Sequence, residues 1–127
     1  MRILIVEDSP LVQKMYGLVF PKREHEMITA LNGREALDVL QSSSDLFDLI
    51  LLDLRMPDMN GVEFIEALRR IGSPLDAIPI VLTTAEPENS PLLQHARALG
   101  VSAVARKPWK PHELRVVIRS IAPQSIG

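Results

Sequence analysis

Leu49-Ile50-Leu51-Leu52-Asp53-Leu54-Arg55-Met56-Pro57 decides the fold. Four consecutive aliphatic residues with no polar alternation read as a strand buried on both faces, the kind found at the centre of a parallel sheet. Aspartate is a poor strand residue, yet Asp53 stands where the run stops. The chain then passes through Leu54-Arg55-Met56 to Pro57 rather than into a helix, so helix capping does not explain the carboxylate.

Working outward, the same grammar recurs. Ile3-Leu4-Ile5-Val6 is another all-apolar run, closed by Glu7-Asp8. Met27 to Ala30 is a weaker strand flanked by His25 and Glu26, which suits an edge. Ile78 to Leu82 and Val101 to Ala105 are the fourth and fifth strands. Helix signals separate them. Ser9-Pro10 and Ser90-Pro91 pair an N-cap with proline in the first turn. Asn32-Gly33-Arg34-Glu35 and Asn60-Gly61-Val62-Glu63 place a capping Asn three residues before a Glu. Pro21 closes the first helix, Gly72 and Gly100 lie near the ends of the third and fourth, and Pro111 to Ile121 forms the fifth.

Strand–helix alternation with short connections predicts an α/β fold with helices on both faces of a five-stranded parallel sheet. Right-handed crossovers restrict the winding. The expected architecture is flavodoxin-like, (βα)5, with strand order 2-1-3-4-5.

At 127 residues, 46% hydrophobic and 24% charged, the chain suits one domain with a real core. The expected domain covers residues 1–122, with a short, frayed tail at 123–127 and no output domain. A net charge of −2 gives no global attraction to nucleic acid or anionic membrane. The absence of cysteine excludes disulfides and thiolate metal sites. With neither a signal peptide nor a bilayer-length apolar run, the cytoplasm is the expected location.

In an open parallel sheet, ligands bind beyond the carboxyl ends of the strands. Glu7, Asp8 and Asp53 end neighbouring strands in the order 2-1-3-4-5. Magnesium takes oxygen ligands, a few of them carboxylates, and keeps several waters. Without a cation, such clustering raises at least one carboxylate pKa. Asp8 is also a possible N-cap. Lys107, after the fifth strand, is placed to offer a point charge to a phosphoryl oxygen. Thr83 and Thr84 end the fourth strand in the same layer as Lys107, and a hydroxyl there is a possible phosphoryl donor or a plain strand-end filler. There is no Gly-x-Gly and no Gly-x-Ser-x-Gly, so dinucleotide, P-loop and nucleophile-elbow chemistries are set aside. His25, His95 and His112 lack ligand spacing and read as surface residues.

Val6-Glu7-Asp8-Ser9, Asp53 to Gly61, Thr84-Ala85 and Lys107-Pro108 together resemble the receiver domain of two-component response regulators, over essentially the whole chain. The resemblance implies that Asp53 is the phosphoacceptor, charged by a histidine kinase or phosphotransfer protein. It implies that Mg2+ is held by Asp8, Asp53 and the backbone carbonyl of Arg55, with Glu7 acting through water. Thr84 would be the switch hydroxyl, chosen over Thr83 because Thr84-Ala85 matches the family's Thr/Ser-Ala pair. Lys107 would bind the phosphoryl group, ahead of a cis Lys107-Pro108 bond. The partners implied are that phosphodonor protein and a downstream effector or output domain, with no direct nucleic acid or membrane contact. Any enzymology would be assistance to the domain's own phosphorylation and dephosphorylation.

Other readings stay open on the sequence. One is a phosphocarrier within a relay. Another is a phosphorylation-independent interaction module, which the intact acidic set disfavours. A phosphohydrolase acting on external substrate is disfavoured by the lack of a separate acid–base motif.

The chain departs from the family pattern at Val104, three residues before the lysine, where a Tyr or Phe is usual. Coupling through a ring at that position is therefore not available. Trp109, just after Lys107-Pro108, is either partly exposed beside the site or packed against the sheet. Arg55 and Glu86, two residues beyond Asp53 and Thr84, are expected to pair across the entrance and slow hydrolysis. In the first helix Val12, Met15, Tyr16 and Val19 form the buried stripe at i, i+3, i+4 and i+7. Leu11 and Leu18 are left on a more exposed face, and Leu11 and Trp109 are expected to help dock the phosphodonor protein.

Overall fold

The structure, a computed structural model, describes residues 1–121. The chain alternates β1 Arg2–Val6, α1 Pro10–Val19, β2 Glu26–Ala30, α2 Gly33–Ser42, β3 Leu49–Asp53, α3 Gly61–Ile71, β4 Ile80–Thr84, α4 Pro91–Ala98, β5 Ala103–Arg106 and α5 Pro111–Ile121. All strand pairs are parallel and the sheet order is β2-β1-β3-β4-β5. This is the expected flavodoxin-like winding, with β3 at the centre and β2 at an edge. Among the described residues no helix is long and apolar enough to cross a membrane. The tail expected at 123–127 lies outside the described residues.

Strand side chains alternate between two cores because successive residues point to opposite sheet faces. Leu4, Val6, Ile50, Leu52 and Leu82 pack toward α2, α3 and α4, where Ala36, Phe64 and Leu93 meet them. Ile3, Ile5, Leu49, Leu51 and Val81 pack toward α1 and α5, against Tyr16, Val19, Leu114 and Ile118. Every residue of β3 is buried, as its unbroken apolar run requires. Each such Leu or Ile contributes ~1.5–3 kcal/mol over an exposed position.

Helix starts follow their caps. Ser9 and Ser90 accept from the backbone N–H groups of Val12 and Leu93. Asn60 and Glu63 form a reciprocal capping box, whereas Asn32 accepts from Glu35 without the return bond. Gly72 ends α3 at φ 81°, a conformation that favours glycine.

Four details differ from expectation. β4 starts at Ile80 rather than Ile78, since Pro79 has no N–H for the ladder and only its carbonyl joins, accepting from Ile50 at 2.9 Å. β5 starts at Ala103, two residues late, because Gly100 turns the chain at φ 93° before pairing begins. His25 is buried, not on the surface. Its ring meets Phe20 edge-on at 5.6 Å, and its Nδ1 lies 3.3 Å from the Met1 amino group. A short 3-10 turn, Leu75–Ala77, was not anticipated.

Candidate functional site

The carboxyl ends of β1, β3, β4 and β5 deliver Glu7, Asp53, Thr84 and Lys107 to one edge of the sheet. One carboxylate oxygen each from Glu7, Asp8 and Asp53 lies within 4.8 Å of the others. Glu7 and Asp53 are buried and Asp8 is exposed. The group thus runs from a dry floor to a wet lip. Lys107 Nζ lies 3.0 Å from Glu7 Oε1 and 3.3 Å from Asp53 Oδ1.

Glu7 is held from its own loop. The Ser9 backbone N–H donates to Glu7 Oε2 at 3.1 Å, and the Gln13 side chain donates to the Glu7 carbonyl at 2.7 Å. After Asp53 the chain turns sharply. The Leu54 N–H donates to the Thr83 carbonyl at 3.1 Å, and the Gly61 N–H donates to the Leu54 carbonyl at 2.9 Å. A Cβ on Gly61 would stand 3.0 Å from Leu54 Cα and 3.1 Å from the Asp53 carbonyl oxygen, so that close return needs glycine. Asp58 takes φ 66°, a left-handed conformation that Asp tolerates better than most residues.

Burial drives the electrostatics. Desolvation, helped by the Asp53 charge, holds the Glu7 carboxyl above its ordinary range, with the Ser9 N–H and Lys107 pulling the other way. Desolvation also raises Asp53, against the opposing pull of Lys107 and the Arg55 backbone N–H. For Lys107, desolvation disfavours the charge, but the bonds to Glu7 and Asp53 together outweigh it and raise its pKa. Three carboxylates gathered this closely, whose mutual repulsion a bound cation would offset, form an oxygen donor set that suits a hard divalent cation such as Mg2+.

A cavity of about 340 Å3 opens in front of Asp53, lined also by Arg55, Thr84, Ala85, Glu86 and Lys107. The Thr84 hydroxyl accepts from the Glu86 N–H at 2.9 Å, which leaves its own proton unengaged by that bond. Thr83 does not line the cavity. It is the register partner of Asp53 and neighbours Tyr16 beneath the site. The two threonines therefore occupy different layers, contrary to the expectation of one. Arg55 and Glu86 pair as anticipated, with Nε donating to Oε1 at 2.6 Å across the entrance.

Trp109 resolves in favour of packing. It is buried, with its ring centroid 5.0 Å from that of Tyr16. The Lys107-Pro108 bond is cis as expected, and Ser73-Pro74 is a second cis bond not foreseen. Lys107 was expected to meet a phosphoryl oxygen; its bridging of Glu7 and Asp53 was not foreseen. Neither was the contact between Tyr16 and Thr83, since both are unremarkable core-type residues in the sequence.

Residues 3–119 match the family model described as the response regulator receiver domain. The chain belongs to that family. Among curated relatives, the receiver domain is 30% identical to sporulation initiation phosphotransferase F of Bacillus subtilis, covering 96% of this chain and 94% of the relative. It is 37% identical to a protein-glutamate methylesterase/protein-glutamine glutaminase of Treponema pallidum, covering 94% of this chain. There it spans only 30% of the relative's length, and 22% of the Arabidopsis thaliana response regulator ARR11. Among solved structures, the receiver domain overlays the chemotaxis protein CheY4 of Vibrio cholerae with a TM-score of 0.80 at 32% identity, covering 94% of this chain and 97% of that one.

Proposed function

We propose that this receiver domain is switched by Mg2+-dependent phosphorylation of Asp53. The observation that carries the reading is the placement of Asp53 between a half-buried ammonium, Lys107, and two further carboxylates, the buried Glu7 and the exposed Asp8. In the reaction, an Asp53 carboxylate oxygen attacks the phosphorus of a phosphohistidine on a kinase or phosphotransfer protein. The P–O bond forms as the P–N bond breaks, and the departing imidazole takes a proton from solvent. Phosphoryl transfer depends mainly on positioning and charge neutralisation. When bound, Mg2+ neutralises the charge on the transferring oxygens. Asp8, Asp53 and the Arg55 carbonyl would hold it, with Glu7 acting through water.

Lys107 then exchanges its Asp53 contact for a phosphoryl oxygen. The Thr84 hydroxyl donates to another, giving up its bond from the Glu86 N–H. That exchange biases the loop after β4 between two arrangements, the usual way in which a local charge acquires a wider readout. Val104 provides no ring to follow Thr84, so the loop carries the output toward a partner or output domain.

A second reading, a phosphocarrier that passes the group on to another histidine, is favoured by the relative named a phosphotransferase, which matches over nearly its whole length. Incubation with acetyl phosphate and Mg2+ tests the first reading. A gain of one phosphoryl group by mass in wild type and none in Asp53→Asn is the expected result; no gain in wild type defeats it. Transfer from phosphorylated Asp53 to a histidine phosphotransfer protein selects the second.

A further inference from the structure

β5 is an edge strand, paired on one side only, with β4. The ladder therefore fixes Lys107 weakly, through its N–H donating to the Thr84 carbonyl at 2.8 Å. Lysine also has a flexible four-carbon stem whose ordering costs rotamer entropy. Yet Lys107 Nζ sits between Glu7 and Asp53 with under a quarter of its side chain exposed. Something beyond the ladder and the ion pairs must hold this segment in place.

Two residues on, Trp109 is buried and stacks on Tyr16 of α1, with centroids 5.0 Å apart and planes at 37°. Tyr16 is itself buried, in contact with Thr83 and close enough to Glu7 and Asp53 to feel both charges. Buried tyrosine hydroxyls usually find a polar group, and Thr83 is the polar neighbour of Tyr16 here. Thr83 pairs in register with Asp53 across β3 and β4, and its hydroxyl reaches the Leu52 carbonyl at 3.5 Å. A closed circuit results, from Asp53 through Thr83, Tyr16 and Trp109 to Lys107 and back to Asp53.

We propose that Tyr16, Thr83 and Trp109 are positioning residues that form a buried strut fixing Lys107 against Asp53. The inference rests on the reading of Lys107 as the phosphoryl-binding group. The strut occupies the α1–α5 side of the sheet. It gives this chain a ring anchored next to the lysine, while Val104 supplies none on β5.

Two measurements test it. The first needs no phosphodonor: NMR of the Lys107 ammonium protons in the free protein. Their exchange with solvent is slow when the group is held between two carboxylates. Slow exchange is expected in wild type and Trp109→Phe, and fast exchange in Trp109→Ala. The second is the rate of phosphorylation by acetyl phosphate at saturating Mg2+. A displaced catalytic group costs about 10- to 100-fold, so Trp109→Ala should lose that much and Trp109→Phe should regain most of it. Tyr16→Phe, which keeps the ring and loses the hydroxyl, should lose about threefold, the scale of one hydrogen bond. In a Lys107→Ala background the same substitutions should have no further effect. If Trp109→Ala does not fold, Trp109→Leu takes its place. Slow Lys107 exchange in the Ala or Leu variant overturns the strut, as do equal rate losses with and without Lys107. A wild type that holds Lys107 rigidly but accepts no phosphoryl group leaves the strut standing and removes the proposed function instead.

Discussion

Lys107 Nζ spans Glu7 Oε1 at 3.0 Å and Asp53 Oδ1 at 3.3 Å, so one ammonium ties the ends of β1 and β3 to the segment after β5. It balances two acids that the fold has taken out of water. Removing it leaves them unpaired. Lys107→Ala should destabilise the cation-free domain by about 1–3 kcal/mol at neutral pH, below the ~3–5 kcal/mol of a fully buried pair because the side chain is partly solvated. Urea unfolding in EDTA measures it. A loss that shrinks when Mg2+ is added identifies charge imbalance as the cause.

Mg2+ should stabilise the domain more at high pH than at low pH. Burial raises the folded pKa of both Glu7 and Asp53. For an acid with a raised folded pKa, the folded state binds more protons than the unfolded state. The associated stability is present below the unfolded pKa and is lost as pH rises through the folded pKa. Once the acids ionise, a cation offsets their repulsion, and its binding adds about 2.7 kcal/mol at a hundredfold excess over Kd. Thermal melts with Mg2+ at pH 5 and pH 8 should show the larger rise in Tm at pH 8. Equal rises at both values would contradict the role of these acids.

His25 should make the fold acid-sensitive from its own corner, far from the site. Burial, followed by the neighbouring Met1 amino group, lowers its pKa, while Glu24 opposes. With the folded pKa depressed below 6.5, the unfolded chain binds the proton first. The stability is therefore present above the unfolded value and is lost as pH falls through the folded one. His25→Gln should flatten the stability profile on the acid side of pH 6.5. The check is urea unfolding at half-unit steps of pH.

Arg55 and Glu86 lie across the entrance with Nε to Oε1 at 2.6 Å. Arg55 is largely exposed, so the pair contributes only about 0–1 kcal/mol to stability. Its expected effect is on hydrolysis, by limiting the approach of water to the aspartyl phosphate. Arg55→Ala and Glu86→Ala should each shorten the lifetime of phosphorylated Asp53 severalfold, with Tm nearly unchanged. Lifetimes equal to wild type in both variants would remove the gating role.

Leu11 is 70% exposed at the start of α1. The next residue, Val12, lines a groove of about 250 Å3 together with Met15, Ala85, Lys107, Pro108 and Trp109. Leu11→Asp should slow transfer from a cognate phosphohistidine protein at least tenfold, the effect of a contact of about 1.4 kcal/mol. Phosphorylation by acetyl phosphate should be unaffected. A slowdown with both donors would place the effect in the fold and not in docking. Trp109 is a poorer probe, since its burial against Tyr16 mixes docking with packing.

Much of this was legible in the sequence because the signals are local. Unbroken aliphatic runs mark buried parallel strands, and Asp53 at the end of such a run, with no helix to cap, marks chemistry. Parallel winding then places strand ends together, which brings Glu7, Asp8, Asp53 and Lys107 to one edge. Strand starts were less legible. Pro79 and Gly100 act on the ladder through backbone geometry, which apolar patterning does not register.

The sequence by itself determined the (βα)5 winding, the acidic edge and the Thr84-Ala85 and Lys107-Pro108 signals. Those features follow from periodicity, strand-end chemistry and order along the chain. Only the tertiary structure decided that Thr83 lies beneath the site, that His25 is buried, and that Trp109 rests on Tyr16 rather than facing solvent. Residues 16, 83 and 109 are far apart in sequence and carry no joint signal there. Their contact depends on which pleat face each strand residue takes and on how α1 docks against the chain after β5. Packing of that kind is a property of three-dimensional shape, and it is what holds Lys107 where Asp53 needs it.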